Sequence, residues 1–445
     1  LFTNDTIAAI ATGAGKAGIG VVRVSGPQAS DISRQITGIT LTPRHAHFLP
    51  FLDEQLQAID EGVAILFSAP HSFTGEDVLE LQGHGGAVVL NLLLERVTAL
   101  GARAARAGEF SERAFHNDKL DLAQAEAISD LIESGSAAAA RAAMRSMRGE
   151  FSSHIQRINE ELVGLRVWLE AALDFSEEDI DFLAEPQLQN RTIGLIDEFE
   201  LLLSRAEQGQ RLRDGLSVVI AGATNAGKSS LLNRLSGDQT AIVTDIAGTT
   251  RDVLRTDINI EGVPLHIIDT AGVRDTDDVV EQEGIRRAIK AIEEADHIIV
   301  LLDAFAPLMP ELPAVDASRV SIVINKADLL DQPAIDALIN SWKAEFAVSA
   351  LTGVGVDKLR QHLLSLAGHD QHVEGVYSAR QRHVTAIGQS LEATRAALQK
   401  LQDNTMPELA AEELRLAQQS LELITGRFDS EDLLGEIFSS FCIGK

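Results

Sequence analysis

Residues 217–230, Ser-Val-Val-Ile-Ala-Gly-Ala-Thr-Asn-Ala-Gly-Lys-Ser-Ser, constrain this chain more than any other stretch. The apolar opening reads as a buried strand. Gly222-x-x-x-x-Gly227-Lys228-Ser229 then opens a helix carrying Leu231, Leu232 and Leu235. Glycines in such a loop let backbone N–H groups turn inward on a polyphosphate, and the helix N-terminus adds partial positive charge. Lys228 is spaced to reach the β- and γ-phosphates, and the Ser229 hydroxyl to ligate Mg²⁺. A strand before and an amphipathic helix after are the context this pattern requires, and a Gly-rich surface turn would supply neither.

The chain has 445 residues, so two to four domains are expected around this loop. No apolar run is long enough to span a membrane, and the first five residues lack the basic start and apolar core of a signal peptide. The single cysteine, Cys442, excludes an intramolecular disulfide or a cysteine zinc cluster and fits a reducing, cytoplasmic setting. The net charge is −28, with −4 in residues 1–117, −9 in 211–373 and −15 in the remainder. With no basic segment, strong non-specific binding to nucleic acid is not expected; a nucleic-acid partner needs a local patch or a second protein.

Residues 5–115 alternate strand and helix signals. Thr6–Ala11 and Gly20–Ser25 read as strands, with Gly13-Ala-Gly15-Lys16-Ala-Gly18 between them. That segment matches G-x-G-x-x-G, but a dinucleotide fingerprint needs a helix directly after the glycines, and Gly20–Val24 is strand-like. A hairpin loop is the better reading. Gly62–Phe67 and Asp77–Leu81 are further strands, and Gly85–Leu100 a helix. Arg23 and Glu80 sit on strands among apolar neighbours; a lone charge there is by default on a solvated strand face, so the residues alone give neither a function.

From Asp118 to about Gln210 the pattern turns helical, with Ala137–Met147 and Ile155–Leu173 as long stretches and an acidic break at residues 174–181. Its irregular spacing matches no calcium loop and fits a solvated helix junction. Helices resume near Arg380, including Leu409–Ile424 with Leu414, Ala417, Leu421 and Ile424 on one face. The fold class expected is multidomain α/β: an N-terminal α+β domain (1–117), a discontinuous all-α domain (118–210 and 374–445) and an inserted Ras-like α/β domain (211–373). Gly209–Gly215 and Gly368–Gly375 would be the linkers.

Spacing downstream of the P-loop specifies GTP. Asn225, Ala226, Gly227, Lys228, Ser229 and Ser230 form the phosphate loop. Thr249-Thr250-Arg251-Asp252 follows Gly248, with Thr250 placed for Mg²⁺ and the γ-phosphate. The strand Val263–Ile268 ends in Asp269-Thr270-Ala271-Gly272, where Asp269 would hold Mg²⁺ through water and the Gly272 N–H would sense the γ-phosphate. Val320–Ile324 ends in Asn325-Lys326-Ala327-Asp328, whose Asp carboxylate can accept from both guanine N1–H and N2–H₂. Ser349-Ala350-Leu351 completes the base pocket. Where Ras-type enzymes carry a water-orienting Gln, this chain has Val273. Another polar group is needed, with Glu281, Glu283 and Asp275–Asp278 as candidates. Positive charge could come from a monovalent cation on Asn225, or from Arg251 or Arg274.

These motifs, with Thr244-Asp-Ile-Ala-Gly-Thr-Thr-Arg-Asp252, Phe73–Gly86, Gly108-Glu-Phe-Ser-Glu-Arg-Ala-Phe115 and the terminal Phe441-Cys-Ile-Gly-Lys445, closely resemble the MnmE (TrmE) family of tRNA modification GTPases over essentially the whole chain. The resemblance implies an N-terminal folate-binding domain that also dimerises, and adds Thr244, Asp245, Ile246, Ala247 and Gly248 to the GTP-binding residues. It implies a K⁺ site on Asn225, Thr244, Ile246 and Thr249, Mg²⁺ on Ser229 and Thr250, and Glu281 as the catalytic residue. It assigns reduced folate (5-formyl- or methylene-tetrahydrofolate) to Arg23, Glu80, Lys119 and Lys445, with Cys442 beside them. The P-loop departs from the family at Ala223-Thr224, positions not needed for phosphate contacts.

The implied function is modification of the wobble uridine of tRNA at C5. A folate one-carbon unit would become the methylene bridge of an aminomethyl or carboxymethylaminomethyl group, in complex with the flavoprotein MnmG (GidA). A switch GTPase of ribosome assembly is the alternative, but such proteins usually append a basic RNA-binding module, which the acidic helical region does not offer.

Overall fold

The computed structural model describes residues 5–13, 15–174, 186–236, 255–260, 263–269, 286, 289–310, 312–366, 375–403, 407–426, 434, 437–439, 441 and 444. The chain divides into two compact units: Leu1–Ser129 with Met144–Phe199 and Ala386–Lys445, and Asp130–Ala143 with Glu200–Thr385.

In the first unit, strands β1 (Ile7–Ile10), β2 (Ala17–Ser25), β3 (His47–Leu52), β4 (Ala58–Phe67), β5 (Val78–Gly85) and β6 (Arg103–Ala104) form a sheet in the order β3-β4-β5-β2-β1-β6. Neighbours are antiparallel except β1 and β6. Alternation along β2 decides the two faces. Val22 and Val24 join Leu81, Ile32, Ile36 and Leu93 in a core under helices Ala29–Thr37 and Ala87–Ala99. Burying each such side chain contributes roughly 1.5–3 kcal/mol. Arg23, between the two valines, takes the opposite face.

Ile10 pairs with Val22 antiparallel, so the glycine-rich stretch between them connects two hairpin strands and does not open a helix. Two expected boundaries are corrected. Residues 209–214 continue helix Pro186–Asp214 instead of forming a linker, leaving Gly215 alone before the strand Leu216–Ala221. Gly85 ends β5 instead of starting a helix, because Ala17 pairs with it and a Cβ there would meet the Ala17 carbonyl oxygen at 2.5 Å. The edge strand β3 runs through Pro50, which pairs with Glu61, and an edge position is where a strand tolerates proline.

The two halves of the helical region pack on each other within this unit. Asn159 and Arg166 on helix Glu150–Asp174 donate to Glu422 and Gln418 on helix Pro407–Thr425, so the pair runs antiparallel. Leu414, Ala417, Leu421 and Ile424 are fully buried, as the helical period requires. The acidic break lies outside the described residues except for Asp174, the last residue of its helix.

In the second unit, β7 (Leu216–Ala221), β8 (Arg255–Ile260), β9 (Val263–Asp269), β10 (His297–Asp303), β11 (Val320–Asn325) and β12 (Phe346–Ala347) order as β12-β11-β10-β7-β9-β8. All neighbours are parallel except the β8–β9 hairpin. Val218 and Ile220 face one apolar core while Val219 and Ala221 face another, so β7 is apolar throughout, as a parallel strand covered on both sides must be. This is a Ras-like α/β sheet.

Candidate functional site

Among the described residues, the phosphate loop, the Asn325–Asp328 segment and the Ser349–Leu351 segment follow the carboxyl ends of β7, β11 and β12, the edge at which open α/β sheets bind ligands. β7 runs into the phosphate loop, and Lys228 starts helix Lys228–Ser236. Asn225 adopts a left-handed φ of 67°, a conformation that Asn tolerates better than most side chains. Gly227 has φ 95°, and a Cβ there would lie 2.2 Å from Asn325 Nδ2. Only glycine fits. Lys228 is buried, and its Nζ donates to the Gly222 and Ala223 carbonyls at 3.0 and 3.2 Å, holding the ammonium inside the loop.

Asn325 ties this loop to the base-reading segments. Its Nδ2 donates to the Ala226 carbonyl at 2.8 Å and its Oδ1 accepts from the Ala350 N–H at 3.0 Å, at 2% exposure. Ala327 N–H donates to the Val348 carbonyl, so the Asn325–Asp328 and Ser349–Leu351 segments lie side by side. Ser349 Oγ accepts from Thr352 N–H, and the Leu351 carbonyl accepts from Arg234. Asp328 is exposed, leaving its carboxylate open to a ligand.

Asp303 is a residue that sequence reasoning missed. It pairs with Asn325 in the β10–β11 register and accepts from Lys326 Nζ at 2.6 Å. Burial pushes its carboxyl up, but Lys326 and the Phe305 N–H outweigh that and hold it below the usual range. An acidic residue ending a strand beside the Asn-Lys-Ala-Asp strand was the available signal.

Ser229 is exposed in the first helical turn, and Asp269 pairs with Ile220 at the end of β9, two residues before Gly222. An exposed hydroxyl on that turn is the kind of hard oxygen donor that Mg²⁺ takes. Thr244, Asp245, Ile246, Ala247, Gly248, Thr249, Thr250, Thr270, Ala271, Gly272 and Glu281 lie outside the described residues.

The N-terminal unit carries a second polar site. Arg23 on β2 and Glu80 on β5 are direct cross-strand partners, and Arg23 Nε and Nη2 donate to Glu80 Oε1 at 3.1 and 2.9 Å. The guanidinium lies over the rings of Phe73 and Phe110, 5.5 and 5.8 Å from their centroids. This pair is walled by aromatics and only about one-fifth exposed, not spread on a solvated strand face. Lys119 does not touch it; its Nζ donates to the Pro70 carbonyl at 3.0 Å, in the loop that also carries Phe73. Lys445 and Cys442 are outside the described residues, but Gly444 packs against β1, where a Cβ would meet the Ile10 carbonyl oxygen at 2.4 Å.

Two sequence models match: "MnmE helical domain" over residues 122–442 and "GTP-binding protein TrmE N-terminus" over residues 6–119. The chain is 53% identical over 451 residues to the tRNA modification GTPase MnmE of Stutzerimonas stutzeri (strain A1501), covering 99% of both chains. It is 51% identical over 449 residues to that of Hydrogenovibrio crunogenus, covering 100% of this chain and 99% of the relative. The chain belongs to the MnmE family. Among solved structures, Era of Aquifex aeolicus bound to GDP·AlF₄⁻ is 26% identical and covers 40% of this chain and 66% of its own, at a TM-score of 0.27 that adds nothing to the topology above.

Family membership gives the N-terminal signatures their physical content. In Gly108–Phe115, Phe110 floors Arg23 while Glu109 and Arg113 are buried ionic residues. Glu109 accepts from Arg103 at 2.5 Å, and Arg113 pairs with Asp5 and Glu76 at 2.7 and 3.1 Å. Burial raises the Glu109 carboxyl, but Arg103 and the Arg106 N–H more than reverse this and hold it below its ordinary value. Gly108 has a left-handed φ of 66°, and a Cβ there would lie 2.3 Å from the Phe438 carbonyl oxygen, so the position requires glycine on both counts. The MnmE-type C-terminus thereby seats Phe438 and Phe441 in a core with Leu122 and Ala125.

Proposed function

We propose that this chain is a K⁺-activated GTPase that, with the flavoprotein MnmG, installs an aminomethyl or carboxymethylaminomethyl group at C5 of the wobble uridine of tRNA. One observation supports the guanine-nucleotide reading: Asn325 ties the Asn325–Asp328 and Ser349–Leu351 segments to the phosphate loop. Lys228 meets the β- and γ-phosphates, and the Asp328 carboxylate accepts from the guanine edge. Mg²⁺ would be held by Ser229 and Thr250, and K⁺ by Asn225, Thr244, Ile246 and Thr249. When bound, these cations supply positive charge beside the β–γ linkage, where negative charge develops. Glu281 orients the attacking water, a task Val273 cannot perform.

The folate reading is supported by the Arg23–Glu80 pair between Phe73 and Phe110, since a pterin offers a flat ring for the aromatics and an N–H edge for the carboxylate. Lys119 and Lys445 would face the glutamate tail. The protein acts in the cytoplasm as a homodimer joined through residues 1–117; the remaining divisions are 118–210, 211–373 and 374–445. Among the described residues no helix is long and apolar enough to cross a membrane. Binding of 5-formyl-tetrahydrofolate to the full chain tests the reading. Saturable binding is expected, whereas no binding would favour a switch GTPase without modification chemistry.

A further inference from the structure

Asp130 sits where the chain's passages into and out of the GTPase fold come together, and the nucleotide chemistry above does not use it. Its side chain is 4% exposed. Oδ1 accepts from Arg213 Nε at 2.7 Å and from Arg380 Nη2 at 3.0 Å, and Oδ2 accepts from Ser378 Oγ at 2.6 Å. Arg213 lies in the last turn of helix Pro186–Asp214, which leads into β7; Ser378 and Arg380 precede the helix Gln381–Asp403 that follows the GTPase fold. One carboxylate therefore holds both passages.

Packing brings these passages close. A Cβ on Gly209 would lie 1.6 Å from the Tyr377 carbonyl oxygen, Leu212 and Val376 share a core with Ala142, and Gln210 donates to Gln381 at 2.9 Å. The link onward to the nucleotide is short. Only Gly215 separates helix Pro186–Asp214 from β7. Gly215 has φ 80°, and a Cβ there would meet the Pro264 carbonyl oxygen on β9 at 2.4 Å. β7 ends at the phosphate loop and β9 at Asp269, so a shift of either strand reaches Arg213 through a joint with no slack. Asp130 also borders a cavity of about 170 Å³ that Glu133, Ser134, Ala139 and Asp214 line, which gives its partners room to exchange. Packed elements switch between discrete arrangements, and a shared buried acceptor with adjacent space can provide two.

We propose that Asp130 is the positioning residue through which the nucleotide state of the phosphate loop reaches the helical segments 130–143 and 200–214. This rests on the GTPase reading of the second unit. Asp130→Asn keeps the shape and the Ser378 bond but removes the charge that both guanidiniums share.

The test is hydrogen–deuterium exchange on the full chain with GDP and with a non-hydrolysable GTP analogue, with nucleotide affinity measured alongside. In the wild type, exchange across 130–143 and 200–214 should differ between the two nucleotides. In D130N, affinity should be unchanged while that difference shrinks by about fivefold or more, the lower end of typical coupling. A purely structural role would raise exchange in both states and preserve the difference, which would overturn the proposal, as would a wild type with no difference. If D130N does not fold, R213K/R380K makes the same test, because lysine keeps the charge but lacks the fork. A wild-type chain that fails to bind GTP would defeat the GTPase reading instead.

Discussion

The Asn325 amide joins the phosphate loop to the base pocket, donating to Ala226 O at 2.8 Å while accepting from Ala350 N–H. Asn325→Ala leaves a carbonyl and an N–H without these partners in a buried place, at a cost of about 1–3 kcal/mol each. GDP affinity should fall by about tenfold or more, read by titration of a fluorescent guanine nucleotide, with Tm of the nucleotide-free chain reported beside it. An unchanged affinity would mean that the amide does not organise the pocket.

Turnover of GTP should be faster in K⁺ than in Na⁺ at equal ionic strength, because Asn225 in its left-handed conformation is the proposed anchor of the cation. Glu281→Ala should lower hydrolysis by at least about 100-fold with GTP binding intact. Equal rates in both salts would count against the cation assignment, and loss of binding would mean Glu281 has another role.

The phosphate loop was legible because its strand, loop and helix are adjacent in sequence and each carries its own signal. The inserted sheet was equally legible, since its motifs fall at the ends of apolar runs. The pairing of Arg23 with Glu80 was not, because it depends on the register of two strands that are 57 residues apart at that point. Each charge alone looked like a solvated strand residue, and only family resemblance singled them out. Asp130 was less visible still: its partners Arg213 and Arg380 lie 83 and 250 residues away, and no local pattern marks a buried carboxylate. The helical halves were separable by period, but their mutual packing depends on the tertiary fold.

Arg23→Lys should weaken reduced-folate binding while leaving GTP turnover unaltered. Lysine keeps the charge but cannot donate through both Nε and Nη2 as arginine does to Glu80, and it loses the flat face over Phe73 and Phe110. A loss of about 1–3 kcal/mol is expected, measured by calorimetry with 5-formyl-tetrahydrofolate. Folate affinity equal to wild type would remove Arg23 from the site.

Glu109 should make part of the stability acid-sensitive. Its carboxyl is held below the ordinary value in the folded state, so its contribution is complete above the unfolded carboxylate range, about pH 4.5. That contribution is lost as pH falls through the lower folded value. Glu109→Gln should lower stability near neutral pH, toward the low end of about 3–5 kcal/mol because Arg103 retains Asp5. The variant should also show a shallower acid limb in denaturant titrations. An acid limb as steep as the wild type's would place the titrating group elsewhere.

The most direct test of the central claim is mass spectrometry of wobble-position nucleosides in tRNA from cells lacking this protein. C5-aminomethyl and carboxymethylaminomethyl uridines should disappear, and expression of the intact chain should restore them. Wobble nucleosides unchanged by the deletion would contradict the modification function while leaving the GTPase in place.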